Sequence, residues 1–207
     1  MKPLFRGTML ASTLAIVVLS VPSIAVAKDK KPLLSGASTE MLANTCAGCH
    51  GPEGASSGPS IPTLGGMSDI YFIEVMEGYK SGDVPSTIMG RLAKGYSSKE
   101  IEQMAGYFSK QPYVPATQKS DAALASKGAK LHDKFCEKCH SEGGTVADDE
   151  SGFLKGQWKA YLSAQLMDFK SKDREATKKM RKKLDALHKK HGDAGIKALI
   201  EYYSSSK

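Results

Sequence analysis

After residue 27 this 207-residue sequence has no apolar run long enough to cross a bilayer, so no membrane-spanning helix is expected there. It also lacks a Gly-rich nucleotide fingerprint, which speaks against the chain binding FAD by itself. Its most basic stretch, residues 170–190, sets ten Lys or Arg against three acids with almost no aromatic residue interleaved, which argues against nucleic-acid binding. Strand-like alternation is missing throughout, and with it any convincing hairpin. The most telling scarcity is cysteine. There are four, and all of them lie in two short motifs.

The motifs are Cys46-Ala47-Gly48-Cys49-His50 and Cys136-Glu137-Lys138-Cys139-His140. Two thiols one turn apart followed at once by histidine is the pattern of covalent haem c attachment. Each thiol can add to one vinyl group of a porphyrin, and the histidine can then ligate iron from one face of the ring. Other readings of a Cys-x-x-Cys pair exist. Zinc would require the two pairs, far apart in the chain and each with its own histidine, to share one metal. A thioredoxin-like dithiol would sit at a strand end in a βαβ unit, and a disulfide framework gives no reason for the repeated histidine. The count closes on two haem c groups, with iron as their metal.

The segment 1–27 reads as a secretory leader: Lys2 and Arg6, then a mostly apolar run over 9–21, then Ala25-Val26-Ala27 as a small-x-small cleavage site. Cleavage after Ala27 would deliver residues 28–207 to the periplasm, where haem c attachment takes place in bacteria. Loss of Lys2 and Arg6 lowers the formal charge from +7 to +5, and four haem propionates would lower it further. The basic run over 170–190 is a solvated helix face, a docking surface for an acidic redox partner or a face that neutralises haem propionates.

The chain repeats. Counted from the histidine of their own motif, Leu64 and Leu154 both lie at +14, and Gly66 and Gly156 both lie at +16. On the same count Met89 lies at +39 from His50, and Met180 at +40 from His140. Residues 111–115 (QPYVP) break helix and supply a stiff linker. The expected architecture is all-α, with a first module over 28–113 and a second over 114–207. Ser38 is a candidate cap for a helix leading into Cys46, and Ser68 for a helix over 69–79 with Ile70, Ile73 and Met76 as its apolar stripe. Ser97 and Glu100 form a capping box ahead of Ile101, Met104, Ala105 and Phe108. Helices over 122–136, 158–169 and 193–203 repeat the pattern.

A haem iron that carries electrons without binding substrate needs a second axial ligand. A thioether favours ferrous iron and raises the potential relative to a second histidine. Met89 and Met180 fit by their matched spacing. Met67 rivals Met89, and His188 and His191 rival Met180. Met76, Met104 and Met167 fall on apolar helix faces where packing explains them. His132 reads as a packed or partly exposed histidine. Pro62, at +12 from His50, offers a carbonyl to the His50 ring N–H, and Gly152 holds the matching position in the second module.

Residues 45–51 (TCAGCHG), 86–97 (STIMGRLAKGYS) and 128–140 (GAKLHDKFCEKCH, followed by Glu142-Gly143-Gly144) resemble the cytochrome subunit of flavocytochrome c sulfide dehydrogenase, over essentially all of 28–207. The resemblance implies two tandem class I cytochrome c domains. It also implies a separate FAD-containing flavoprotein partner that oxidises sulfide, and a soluble acceptor such as a small cytochrome c. Carried over residue by residue, it makes His50 with Met89, and His140 with Met180, the axial pairs of the two haems. A free-standing dihaem carrier is the alternative. A peroxidase or thiosulfate-oxidising enzyme is disfavoured, because each module offers a methionine and no cysteine is spare.

Overall fold

Local capping sets where the helices begin. The Ser38 hydroxyl accepts from the Met41 N–H and starts α1 (Thr39–Asn44), which runs into the single turn α2 (Ala47–His50). Ser68 starts α3 (Asp69–Ser81), and Gly82, in the left-handed region at φ 95°, stops it. A short turn, α4 (Met89–Leu92), follows. Both hydrogen bonds of the Ser97–Glu100 capping box are made at the start of α5 (Ser98–Phe108). Asp121 caps α6 (Ala122–Phe135), and the turn α7 (Ser141–Gly144) follows the second motif. The last two helices are α8 (Lys159–Ser171) and α9 (Lys178–Tyr203), the latter interrupted at Gly192. The computed structural model describes residues 36–205, so the expected leader over 1–27 lies outside the described residues. Among the described residues the only strand-like pairing is an isolated bridge between Asp148 and Ser151.

Two buried clusters form, one in each half. The first gathers Leu42, Phe72, Met76, Ile101, Met104 and Phe108, with Phe72 stacked on Phe108 at 5.6 Å. The second holds Leu162, Leu187, Leu199 and Tyr203. On α3 Met76 is buried and Ile73 packs on the core as expected, but Ile70 is 53% exposed and Phe72 takes its place in the core. The stacking partner Phe108 comes from a distant helix, so the pattern within α3 could not reveal it. The final helix is also longer than expected, because α9 begins at Lys178, several turns ahead of Asp193.

The repeat is visible in the backbone. The Leu64 N–H donates to the Gly54 carbonyl at 2.8 Å, and the Leu154 N–H to the Gly144 carbonyl at 3.0 Å. Gly66 and Gly156 both adopt positive φ, at 76° and 82°, which L side chains rarely reach. Their N–H groups donate to the last helix of their own half, at Phe108 and Tyr203 respectively. Contacts across residues 111–118 then join the halves in one unit. The Tyr113 ring stacks on Phe153 at 3.9 Å and its hydroxyl donates to the Lys155 carbonyl. The Trp158 indole N–H donates to the Ser56 carbonyl at 3.1 Å.

Gly128 marks the crossing of α6 and α9. A Cβ there would collide with the Ala198 carbonyl oxygen, a backbone atom that cannot swing aside. Gly128→Ala is therefore expected to destabilise the protein by about 1–3 kcal/mol through overpacking. Denaturant titration would measure it, and an unchanged midpoint would mean that the two helices separate freely.

Candidate functional site

In the first half the motif turns directly out of α1. The His50 N–H donates to the Cys46 carbonyl at 2.8 Å, which closes one turn between the two thiols. Cys46 is half-buried against the first core, and burial pushes its thiol above the ordinary range; Cys49 is exposed. The His50 ring is 8% exposed, and its Nδ1 lies 2.8 Å from the Pro62 carbonyl oxygen. A carbonyl only accepts, so Nδ1 carries the proton and the Nε2 lone pair is left free. Burial lowers the His50 pKa, against the opposing pull of Pro62, and keeps the imidazole neutral. Met89 is the first residue of α4 and packs on the same core. The Ser86 hydroxyl accepts from the Gly90 N–H at 2.6 Å and holds that turn.

In the second half Cys136 ends α6, half-buried with its thiol again raised by burial, while Cys139 is exposed. Cys136, Cys139, His140 and Met180 share the wall of one cavity of about 770 Å³. Residues of the first half, among them Met67 and Tyr71, also line it. Met180 sits in the first turn of α9, where the Thr177 hydroxyl accepts from its N–H at 3.2 Å. The second methionine thus stands on a helix start, as Met89 does, and not within a loop.

Burial, and then the proximity of His132, lowers the His140 pKa, and His140 Nδ1 is shielded from solvent with no hydrogen-bond partner. Gly152 does not play the part that Pro62 plays. A Cβ on it would stand 3.0 Å from the Tyr71 ring, so the glycine gives close passage against the first half. The lining also contains Arg174. Its guanidinium donates to Gln165 Oε1 and to the Tyr71 hydroxyl at 3.4 Å, and lies 4.8 Å from the Phe169 ring centre. Among the described residues no carboxylate pairs with it. Two thiols at the wall, a shielded imidazole nitrogen without a partner and a cation without a counter-ion together fit haem c, an apolar ring carrying carboxylates.

The rival ligands are placed elsewhere. Met76 and Met104 are buried in the first core, and Met67 is 9% exposed on the second cavity's wall. Met167, expected to pack, is 57% exposed. His188 is exposed and reaches Asp193 at 3.1 Å, and His191 lies edge-on to Phe135. No two of the four cysteines pair in a disulfide, and among the described residues no three of His, Cys, Asp or Glu gather to hold a metal ion.

Of the two readings of His132 the packed one holds, but the network it anchors was not foreseen. It is fully buried, with Nδ1 2.8 Å from the Tyr203 hydroxyl and Nε2 2.6 Å from Glu137 Oε2. Glu137 also accepts the N–H groups of Glu142 and Gly143, and these bonds hold its carboxyl below the usual range. This network pins the inter-cysteine residues of the second motif. Its far member, Tyr203, lies 71 residues from His132, beyond the reach of any local pattern.

Comparison with known proteins agrees with this geometry. Cytochrome c4 of Stutzerimonas stutzeri is 32% identical over 148 residues, covering 62% of this chain and 69% of that protein. The cytochrome subunit of sulfide dehydrogenase of Chlorobaculum tepidum is 46% identical over 69 residues, covering 33% of this chain and 62% of that protein. That match is narrower than the resemblance along 28–207 suggested. Among solved structures, reduced recombinant cytochrome c4 from Pseudomonas stutzeri matches with a TM-score of 0.66 at 29% identity, covering 80% of this chain and 95% of that one. No protein-family model matches the chain. The fold is a tandem of class I cytochrome c domains.

Proposed function

Because the chain belongs to the dihaem cytochrome c4 family, and so is an electron-transfer protein, we propose that it accepts electrons from the FAD of a sulfide-oxidising flavoprotein partner in the periplasm. It passes them to a soluble acceptor such as a small cytochrome c. The observation that carries a relay, as opposed to two independent carriers, is the second cavity. Its lining joins Cys136 and Cys139 to Tyr71, Glu74 and Gly78 on α3 of the first half. A group bound to those thiols would share its cavity with side chains of the first module. The partial match to a sulfide dehydrogenase cytochrome subunit supports a flavoprotein as the donor. Among the described residues no helix is long and apolar enough to cross a membrane.

Haem c supplies one-electron chemistry at iron. In this reading Cys46 and Cys49 anchor the first haem and Cys136 and Cys139 the second. His50 with Met89, and His140 with Met180, would hold the two irons. Pro62 orients the His50 ring through the Nδ1 hydrogen bond. In this reading the modules divide between residues 113 and 114, next to the stacking of Tyr113 on Phe153.

The test is purification of the native protein at low salt. Bound flavin and sulfide-dependent haem reduction support the sulfide reading. A dihaem protein alone, inert to sulfide, overturns it and leaves a free-standing carrier. The exposed start of α9 gives a second prediction. Lys178, Lys179, Lys182 and Lys183 all face solvent, and Lys179 and Lys183 rim the second cavity. Replacing all four by Glu is expected to slow transfer to an acidic acceptor about ten-fold or more at low salt and to flatten its salt dependence. Stopped-flow kinetics across ionic strength would show it; unaltered rates would leave the run a solvated face.

A further inference from the structure

Gln157 belongs to the second half but grips the backbone of the first. It is 2% exposed, and its amide makes two bonds to Thr63, which is fully buried. Gln157 Oε1 accepts the Thr63 N–H at 3.2 Å, and its Nε2 donates to the Thr63 carbonyl at 2.9 Å. The backbone of Gln157 is held in turn. Its carbonyl accepts from Gln118 Nε2 at 2.7 Å, and its N–H donates to the Leu154 carbonyl at 3.3 Å.

The peptide group joining Pro62 to Thr63 therefore has a bond at each end. Its N–H points to Gln157, and its carbonyl oxygen takes the His50 Nδ1 proton at 2.8 Å. A peptide whose N–H is donated to a strong acceptor carries more negative charge on its oxygen, because hydrogen bonds in a buried chain polarise one another. A more negative Pro62 oxygen draws harder on the Nδ1 proton and gives the imidazole more anionic character. Such a ligand is a stronger donor and favours ferric iron.

We infer that Gln157 is a positioning residue for the first haem's axial histidine, acting from the second module through the Pro62–Thr63 peptide to lower that haem's potential. The inference rests on the reading that His50 ligates iron. No matching device serves the other haem. The first-half counterpart of Gln157, also at +17 from its motif histidine, is Met67, whose thioether is too weak an acceptor to polarise a peptide, and His140 Nδ1 has no partner.

The experiment is Gln157→Met in the holoprotein, an apolar replacement of similar length. It is read by the potential of each haem and by the NMR signal of the His50 Nδ1 proton. Removing the acceptor is expected to raise the first haem's potential, with a change on the order of three-fold in its ferrous-to-ferric ratio at fixed ambient potential. The Nδ1 proton should move upfield at the same time, and the second haem should keep its potential. A bland packing role predicts the opposite distribution, because Gln157 lines the second haem's own cavity. A shift confined to the second haem, or equal in both, overturns the proposal. Should Gln157→Met not assemble, Gln157→Glu reads the same link with the opposite sign. As that carboxyl ionises with rising pH it accepts more strongly from Thr63, and the first haem's potential falls further than the second's. Parallel curves for the two haems overturn the proposal. The ligand reading fails separately: without a paramagnetically shifted His50 ring in the unaltered protein, His50 does not hold iron.

Discussion

Met89→Ala and Met180→Ala are each expected to leave both haems covalently attached while opening one iron to exogenous ligands. Met89 and Met180 each stand at a helix start, Met89 on the first core and Met180 in the cavity that His140 also lines, and alanine supplies no soft donor in their place. The effect is all-or-none at one site. Half of the low-spin signal and half of the iron–sulfur charge-transfer band disappear, and the opened ferrous haem binds carbon monoxide. Its potential falls, because loss of the thioether removes the preference for ferrous iron. Each position has backbone support that should localise the damage. The Ser86 hydroxyl holds the turn at Met89, and the Thr177 hydroxyl caps the one at Met180. Thr177→Ala, which keeps the sulfur but loses the cap, should cost only about 1 kcal/mol and leave the spectrum intact. Unchanged spectra in Met89→Ala would transfer the ligand role to Met67, although that side chain lies on the wall of the other cavity. Unchanged spectra in Met180→Ala would pass it to His188 or His191, of which the first already meets Asp193.

Features carried by close neighbours along the chain are legible in the amino-acid sequence alone. The capping box at Ser97 and Glu100 needs residues three apart, and it forms with Ile101, Met104, Ala105 and Phe108 buried. Gly66 and Gly156 stand out by equal spacing, and both take the left-handed backbone that explains glycine there. The start of α9 is legible in principle. Met180, Leu184, Leu187 and His191 fall at helical spacing, and Leu187 is fully buried. The surrounding lysines hide that stripe, and the break at Gly192 hides the continuity. Features that join the halves leave no local trace. Gln157 meets Thr63 across 94 residues, and Arg174 meets Tyr71 across 103. Neither pairing has a spacing rule, because each depends on how two separately built modules dock.

Arg174→Met is expected to weaken the folded holoprotein by about 1.5–3 kcal/mol, the cost of taking a partly buried cation from the carboxylate it would pair with. Guanidinium groups stay charged at any pH a protein meets, so Arg174 brings a permanent cation into the second cavity. Tyr71, Gln165 and Phe169 give it hydrogen bonds and a π face, but none of them carries a negative charge at neutral pH. A haem propionate would supply that charge. Removing a cation from near the iron also favours the ferric state, so the second haem's potential should drop together with the stability. The sign of the pH dependence follows from the pairing. A propionate paired with arginine has a depressed pKa, so the pair stabilises the fold above the carboxylate's unfolded pKa and is lost as pH falls through the folded one. The gap between the native protein and Arg174→Met should therefore be widest near neutrality and close in acid, and Arg174→Lys should restore part of it. Denaturant unfolding followed at the haem absorbance, repeated across pH, measures all three. A constant gap would mean that Arg174 serves only its aromatic and amide neighbours, as a packed side chain bridging α3 and α8.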